Sequence, residues 1–453
     1  MKKLSFFEIA NAVGGSLSGG DGFITNVSTD SRNIAESCLF IPLKGENFDG
    51  HEFIAQVFEN GAALCLSERD LDSTHPYIKV KSTTQAIKDL AEYYRKLFDV
   101  KVVGITGSVG KTTTKEMIAC VLSEKYNVLK TKGNFNNEIG LPLTVFNLDE
   151  SYDMLILEMG MNHFGEIKNL SKIARPDIAV ITNIGVSHIE NLGSREGILK
   201  AKSEIFEYME KGSYAFINGD DDMLKTARND KVNISFFGQT NVNGCFCTEV
   251  QNKGLNGTDC KIYVADRVLD AHIPSPGEHM VYNALAAAAV GEALGLTDTE
   301  IISGLKNYTP QDRRQRIINL ENIDVIDDCY NASPTSVMAA IDVLCYAGGR
   351  KVAILGDMLE LGKNSAEFHR QVGVYAAEQN IDLIITVGPL SKNTYKGAVQ
   401  SAKTSEVLWF ESQDEMLSNL KSHLKASDAV LVKASRGMHF EQTVEFLTKN
   451  YGG

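Results

Sequence analysis

The chain has 453 residues, too many for one hydrophobic core, with 43% hydrophobic and 23% charged residues, the balance of a soluble globular protein. Its net charge of −13, with no long basic run, argues against nucleic acid as a partner but leaves room for a small anionic substrate. Eight cysteines without a Cys-x-x-Cys pair argue against a zinc site and fit a reducing compartment.

Lys2 and Lys3 precede no continuous apolar run, and the most apolar stretch, 284–290, is far too short to span a bilayer. A cytoplasmic protein without membrane insertion is expected. Residues 1–98 read as a small α/β unit. Ser5-Phe-Phe-Glu8 is a capping box opening a helix that Gly14-Gly15 stops. Strands are expected at 38–41 and 62–66, and an amphipathic helix at 84–97. From residue 100 the pattern becomes strands at 102–106, 154–158, 178–182 and 214–218, separated by helix-length intervals. That alternation predicts a mostly parallel sheet with helices on both faces. Residues 245–273, with the turn Asn256-Gly257, suggest an antiparallel excursion, followed by helices at 283–294 and 298–307. A third α/β unit starts near Asp312, with strands expected at 325–328, 352–355, 383–387 and 429–432.

The segment Gly104-Ile-Thr-Gly-Ser-Val-Gly-Lys-Thr-Thr-Thr-Lys115 lies between a strand-like and a helix-like run. A glycine-rich turn feeding a helix N-terminus is an anion site, because free N–H groups and the helix dipole both favour negative charge. Gly107, Ser108 and Gly110 would wrap a β-phosphate, Lys111 would reach the β/γ oxygens, and Thr112 would hold Mg²⁺, with Thr113 beside it. Ile105 stands where the general pattern has its first glycine. Glu158 ends the next strand, where ligands gather in open parallel sheets, and His188 follows the third strand. Composition alone does not single out Lys200 or Lys202.

Taken together, these segments resemble the Mur ligase family of ATP-dependent amide-forming enzymes. Thr29-Asp-Ser-Arg32, Leu39 to Gly45 and Phe48-Asp-Gly-His51 are similar to its uridine-nucleotide-binding domain, which implies Ser31, Arg32, Lys44 and Asp49 as substrate contacts. The loop at 106–115 resembles the family's shortened phosphate loop. Thr131 to Gly140, with Asn134 and Asn137, and Glu158-Met-Gly-Met-Asn162 resemble central-domain substrate and metal segments. The resemblance implies Glu158, His188, Thr112 and Lys202 as Mg²⁺ ligands, with Lys202 carbamylated and Lys200 the fallback. It also implies Asn283 at adenine and Arg313 at the γ-phosphate, the doubled arginine leaving Arg314 as the alternative. Asp328, Tyr330, Asn331 and Arg436 would face the incoming substrates. The implied fold has three domains: a uridine-nucleotide domain at 1–98, a central P-loop ATP-binding domain at 99–311, and a Rossmann-like domain at 312–453. The segments 327–334 and 355–362 point to the member that joins D-alanyl-D-alanine to a UDP-N-acetylmuramoyl-tripeptide, with ATP and Mg²⁺, as a monomer. An alternative is the related ligase that adds the third amino acid; a binder that has lost catalysis is less consistent with intact Lys111, Glu158, His188 and Lys202. The third stem residue, lysine or diaminopimelate, is left open.

Overall fold

Ser5 opens the first helix, Phe6–Val13, with a reciprocal cap: its hydroxyl accepts from the Glu8 N–H, and the Glu8 carboxylate accepts from the Ser5 N–H. Gly14, at φ 59, ends that helix. The computed structural model describes residues 1–45, 48–72 and 75–452. In the N-terminal unit, a five-stranded sheet runs Ser16–Ser18, Tyr77–Lys79, Ala62–Ser67, Cys38–Phe40, Asn26–Ser28, with only the first pair antiparallel. The helix expected at 84–97 is Thr83–Arg95, capped by Ser82.

The central sheet has nine strands, and Lys101–Thr106 lies inside it, between Ile178–Ile181 and Met154–Glu158. All its pairs are parallel except the two that join Cys245–Asn252, Thr258–Val264 and Arg267–Ile273. Alternate residues serve the two faces. Leu155 and Leu157 enter one core cluster, while Met154 and Ile156 enter the other. The first of these cores runs continuously into the N-terminal unit, so these two domains share packing. On the opposite face, the helix Glu278–Ala293 begins five residues before the expected 283 and presses its alanines against Lys111–Ser123. The third sheet has six strands, in the order Arg316–Asn319, Ile323–Asp327, Asp428–Lys433, Arg350–Gly356, Leu383–Val387, Glu406–Phe410. Its only antiparallel pair is the first.

Tyr94 joins the first two domains. Its side chain is fully buried, its hydroxyl donates to the Leu148 carbonyl at 2.7 Å, and it accepts from the Lys2 N–H at 2.6 Å. Tyr94→Phe would strand both backbone groups, and a loss of about 1–3 kcal/mol is expected. A lowered denaturant midpoint checks this; an unchanged midpoint would mean the hydroxyl carries no net weight.

Candidate functional site

The strand order changes direction around Lys101–Thr106, which places a crevice at its carboxyl end. The chain there turns through Gly107 to Gly110 into the helix Lys111–Ser123. A Cβ on Gly107 would lie 1.8 Å from Thr182 Oγ1, so only glycine lets the loop lie this close to the neighbouring strand's end. The loop is strapped to that strand end. Thr182 Oγ1 donates to the Val109 carbonyl at 2.5 Å, Asn183 Oδ1 accepts from the Val109 N–H at 2.9 Å, and Ser108 Oγ accepts from the Gly185 N–H at 2.9 Å. Lys111 Nζ donates back to the Gly107 carbonyl at 2.8 Å.

Register decides where Glu158 stands. It pairs with Ile105, so its carboxylate leaves the sheet beside the start of the loop. It is 2% exposed and accepts from Thr112 Oγ1 and from Asn136 Nδ2, each at 2.8 Å. Both of those side-chain partners are neutral. A buried carboxylate that feels the Lys111 ammonium only at a distance and has two neutral donors in contact suits a divalent ion that would arrive with its own charge. Asn136 was not among the expected residues; three asparagines in Asn134-Phe-Asn-Asn137 offered no way to choose by spacing. Asn134 and Asn137 also line the cleft, and Asn137 Oδ1 accepts from the Gly140 N–H at 2.8 Å.

Lys202 and Lys200 share the helix Arg195–Ser203 but face opposite ways. Lys202 is 2% exposed and lines the cleft, whereas Lys200 is exposed, with Nζ 5.8 Å from the Phe164 ring centre. Burial, with the charge of Lys111 added, holds the Lys202 ammonium well below its ordinary value. Lys111 is likewise pressed down by burial and by Arg314, with Glu158 pulling the other way. Asn283 is buried and accepts from Thr114 Oγ1 at 2.8 Å, and Thr113 lies nearby on the cleft wall.

The third domain forms the opposite wall. Lys433 Nζ lies 2.5 Å from Asp328 Oδ2 and 3.1 Å from the Asn331 carbonyl, which pins the 328–331 loop. Tyr330 accepts from Arg436 at 3.0 Å and carries the Arg314 guanidinium over its ring, 3.9 Å from the centre. Of the doubled arginine, it is the alternative, Arg314, that borders the cleft. Arg313 has φ 62 and turns its guanidinium to Glu441 at 3.4 Å, outside the cleft, and Arg314 lines the cleft instead. Arg313 and Gln315 both have positive φ, 62 and 54, a backbone course that no local pattern signals. His188 also has φ 62 and lies 3.0 Å, through Nδ1, from Glu360 Oε2 of the third domain, a contact that holds the Glu360 carboxyl below its ordinary value. Glu360 lies within the segment 355–362 and Lys433 three residues before Arg436, but neither was singled out as a site residue.

Ser31, Arg32, Lys44 and Asp49 do not line this cleft, whose volume is about 530 Å³. Arg32 forks onto Asp30 through two 2.8 Å bonds, and Asp49 lies 2.6 Å from His51 Nδ1, in a separate polar group on the N-terminal domain.

The Mur ligase middle domain model matches residues 105–291, the Mur ligase glutamate ligase domain model matches 313–436, and the Mur ligase family catalytic domain model matches 23–98. The chain is 39% identical to the UDP-N-acetylmuramoyl-tripeptide–D-alanyl-D-alanine ligase of Bacillus subtilis (strain 168), over 94% of each chain. It is 35% identical to the protein of the same name from Escherichia coli (strain K12), over 99% of each. Among solved structures, MurF from Acinetobacter baumannii superposes with a TM-score of 0.92 at 33% identity, covering 99% of this chain and 100% of that one. MurF ligase from Thermotoga maritima in complex with ADP gives 0.84 at 30% identity, covering 94% and 97%.

Proposed function

The chain belongs to the Mur ligase family, and we infer from that membership and from the two-walled cleft that it joins D-alanyl-D-alanine to the stem tripeptide of UDP-N-acetylmuramoyl-tripeptide at the expense of ATP. The observation that carries this is the convergence of the phosphate loop, Glu158 and Lys202 on one wall with Asp328, Tyr330 and Arg436 on the other. A carboxylate is a poor acyl donor at neutral pH. Transfer of the γ-phosphoryl group to the tripeptide's terminal carboxylate makes an acyl phosphate and ADP. The free amine of the dipeptide then attacks the acyl carbon, loses a proton, and expels inorganic phosphate.

The protein's part is charge management and exclusion of water. The approaching carboxylate and the γ-phosphate repel each other, so Lys111 and Arg314 are placed to neutralise the charge that develops between them. The loop N–H groups at the start of Lys111–Ser123 hold the phosphates, and Asn283 borders the base end. Glu158, Thr112, His188 and a carbamylated Lys202 are the groups that would hold Mg²⁺, which would supply further neutralisation when bound. The third domain covers the cleft against water, to which an acyl phosphate is vulnerable. Asp328, Tyr330, Asn331 and Arg436 border the side from which the dipeptide enters. Ser31, Arg32, Lys44 and Asp49 are the proposed uridine contacts, remote from the chemistry. Nucleotide-linked substrates and eight free cysteines support a cytoplasmic protein working in peptidoglycan precursor synthesis, and so in cell shape and division, and a monomer is proposed with it. No helix among the described residues is long and apolar enough to cross a membrane.

The test is phosphate release with each candidate acceptor, using tripeptide nucleotides that end in lysine or in diaminopimelate. Release that depends on D-alanyl-D-alanine supports the reading, and release with a single amino acid but not the dipeptide refutes it. Placement of the arginines gives a second test. Arg314→Ala is expected to lower kcat about tenfold or more, and Arg313→Ala less than about threefold, with ATP affinity little changed in both. The reverse order would return the phosphate role to Arg313.

A further inference from the structure

The segment Leu355-Gly-Asp-Met-Leu-Glu-Leu-Gly362 leaves the strand Arg350–Gly356 and is pinned residue by residue. Asp357 is buried and accepts from the Ser391 N–H at 2.6 Å and the Leu390 N–H at 3.3 Å. The Met358 N–H donates to His369 Nε2 at 3.0 Å, and the Leu359 N–H donates to Ser435 Oγ at 2.9 Å. Glu360 is the residue that projects from this held loop, with φ 62 and a side chain 64% exposed, towards His188 on the central domain. His188 also has φ 62. Two non-glycine residues in left-handed backbone therefore meet across a domain boundary, and such strain persists only where the surroundings over-determine it.

The contact is not isolated. Val186 packs against a core cluster of the third domain, and a Cβ built on Gly362 would lie 3.3 Å from Glu190 Cβ. Residues 186–190 thus dock against 360–362. Within that junction His188 Nδ1 is closed off from solvent, and it approaches the carboxylate without a well-aligned N–H. The side chain is still 23% exposed, so the open edge of the ring is the one away from Nδ1, and His188 lines the cleft. At 3.0 Å the pair is within hydrogen-bond reach.

We propose that Glu360 is a positioning residue: the docked third domain supplies the carboxylate that keeps the His188 proton on Nδ1, so that Nε2 is presented unprotonated to the cleft only when the two domains are together. A carboxylate on the far nitrogen of a ligating histidine fixes both its tautomer and its ring orientation. The segment 355–362 thereby couples domain docking to completion of the site. The proposal rests on the ligase reading only for its turnover arm.

The test uses full-length protein with nitrogen-labelled histidine, free of substrates, at a pH where the ring is neutral. Long-range proton–nitrogen spectra report the tautomer, and His188→Gln identifies the signals. Glu360→Ala is expected to move His188 away from the Nδ1-protonated form and to speed hydrogen exchange at 186–190. In turnover, Glu360→Ala is expected to lower kcat about 10–100-fold with the KM for ATP changed less than about threefold. Glu360→Gln should recover most of that loss, because its amide oxygen accepts the same hydrogen. An unchanged tautomer and unchanged exchange in Glu360→Ala overturn the proposal, whatever turnover does. A Glu360→Gln variant as slow as Glu360→Ala with the tautomer kept also overturns it, and would assign the carboxylate to a charge contact with substrate. Failure of the wild type to use D-alanyl-D-alanine would defeat the ligase reading while leaving the tautomer and exchange results standing.

Discussion

Lys111→Ala is expected to cut phosphate release at least about 100-fold, while binding of the uridine nucleotide substrate alone stays close to wild type. The lysine opens the helix that follows the phosphate loop, and its Nζ bonds the Gly107 carbonyl at 2.8 Å, which fixes it across the mouth of the loop. Its ammonium is only partly compensated, because burial and Arg314 oppose it and Glu158 alone favours it. A phosphate placed there would relieve that imbalance, most of all when charge builds up during transfer. The proposed uridine contacts Arg32 and Asp49 lie outside the cleft, with partners of their own, so the substitution does not reach them. Calorimetry with the tripeptide nucleotide and phosphate release measured on the same sample separate the two effects. Near-normal turnover would remove the loop from its proposed role, and loss of nucleotide binding would show that the domains are not independent.

Lys202→Ala is expected to be almost inactive, down about 100-fold or more, and to recover part of its activity with short carboxylic acids. A buried lysine beside Lys111 is costly as an ammonium, and burial with the Lys111 charge holds it well below its ordinary value. The neutral amine so favoured can add to CO₂, forming a carbamate that carries one negative charge and two oxygens. That converts an unfavourable cation into a hard anionic donor at a site whose other carboxylate, Glu158, is held by the neutral side chains of Thr112 and Asn136. Acetate or formate entering the space left by the side chain would restore the anion. Mass spectrometry under CO₂ and the rescue assay check this together. Full activity in Lys202→Ala, or rescue confined to Lys200→Ala, would overturn the assignment.

Much of the architecture was legible because it is local. Short continuous apolar runs marked the inner strands of both large sheets, and Ser5-Phe-Phe-Glu8 marked a helix start, since both depend on neighbours a few residues away. Edge strands were harder. Arg316–Asn319 and Glu406–Phe410 are short and only partly buried, so alternation in them is weak. The helix at Glu278 was placed late because its first turn, next to Gly277 at φ 109, carries polar residues ahead of the alanines.

The sequence by itself determined the glycine-rich turn between strand and helix, the carboxylate at the end of the neighbouring strand and the α/β class of the units, because each is written in contiguous residues with fixed backbone requirements. Tertiary structure decided which member of each near-duplicate faces the cleft, or in the asparagine run which one bonds Glu158. Lys200 and Lys202 are two residues apart on one helix, hence on opposite faces, and only packing tells which face is buried. Arg313 turns to Glu441 while Arg314 lies over the Tyr330 ring, and Asn136 was picked from three asparagines by its bond to Glu158. The meeting of His188 with Glu360 joins residues 172 apart in the chain, in different domains. Side-chain identity is encoded locally, but direction and partnership arise from contacts made only once the sheets have packed.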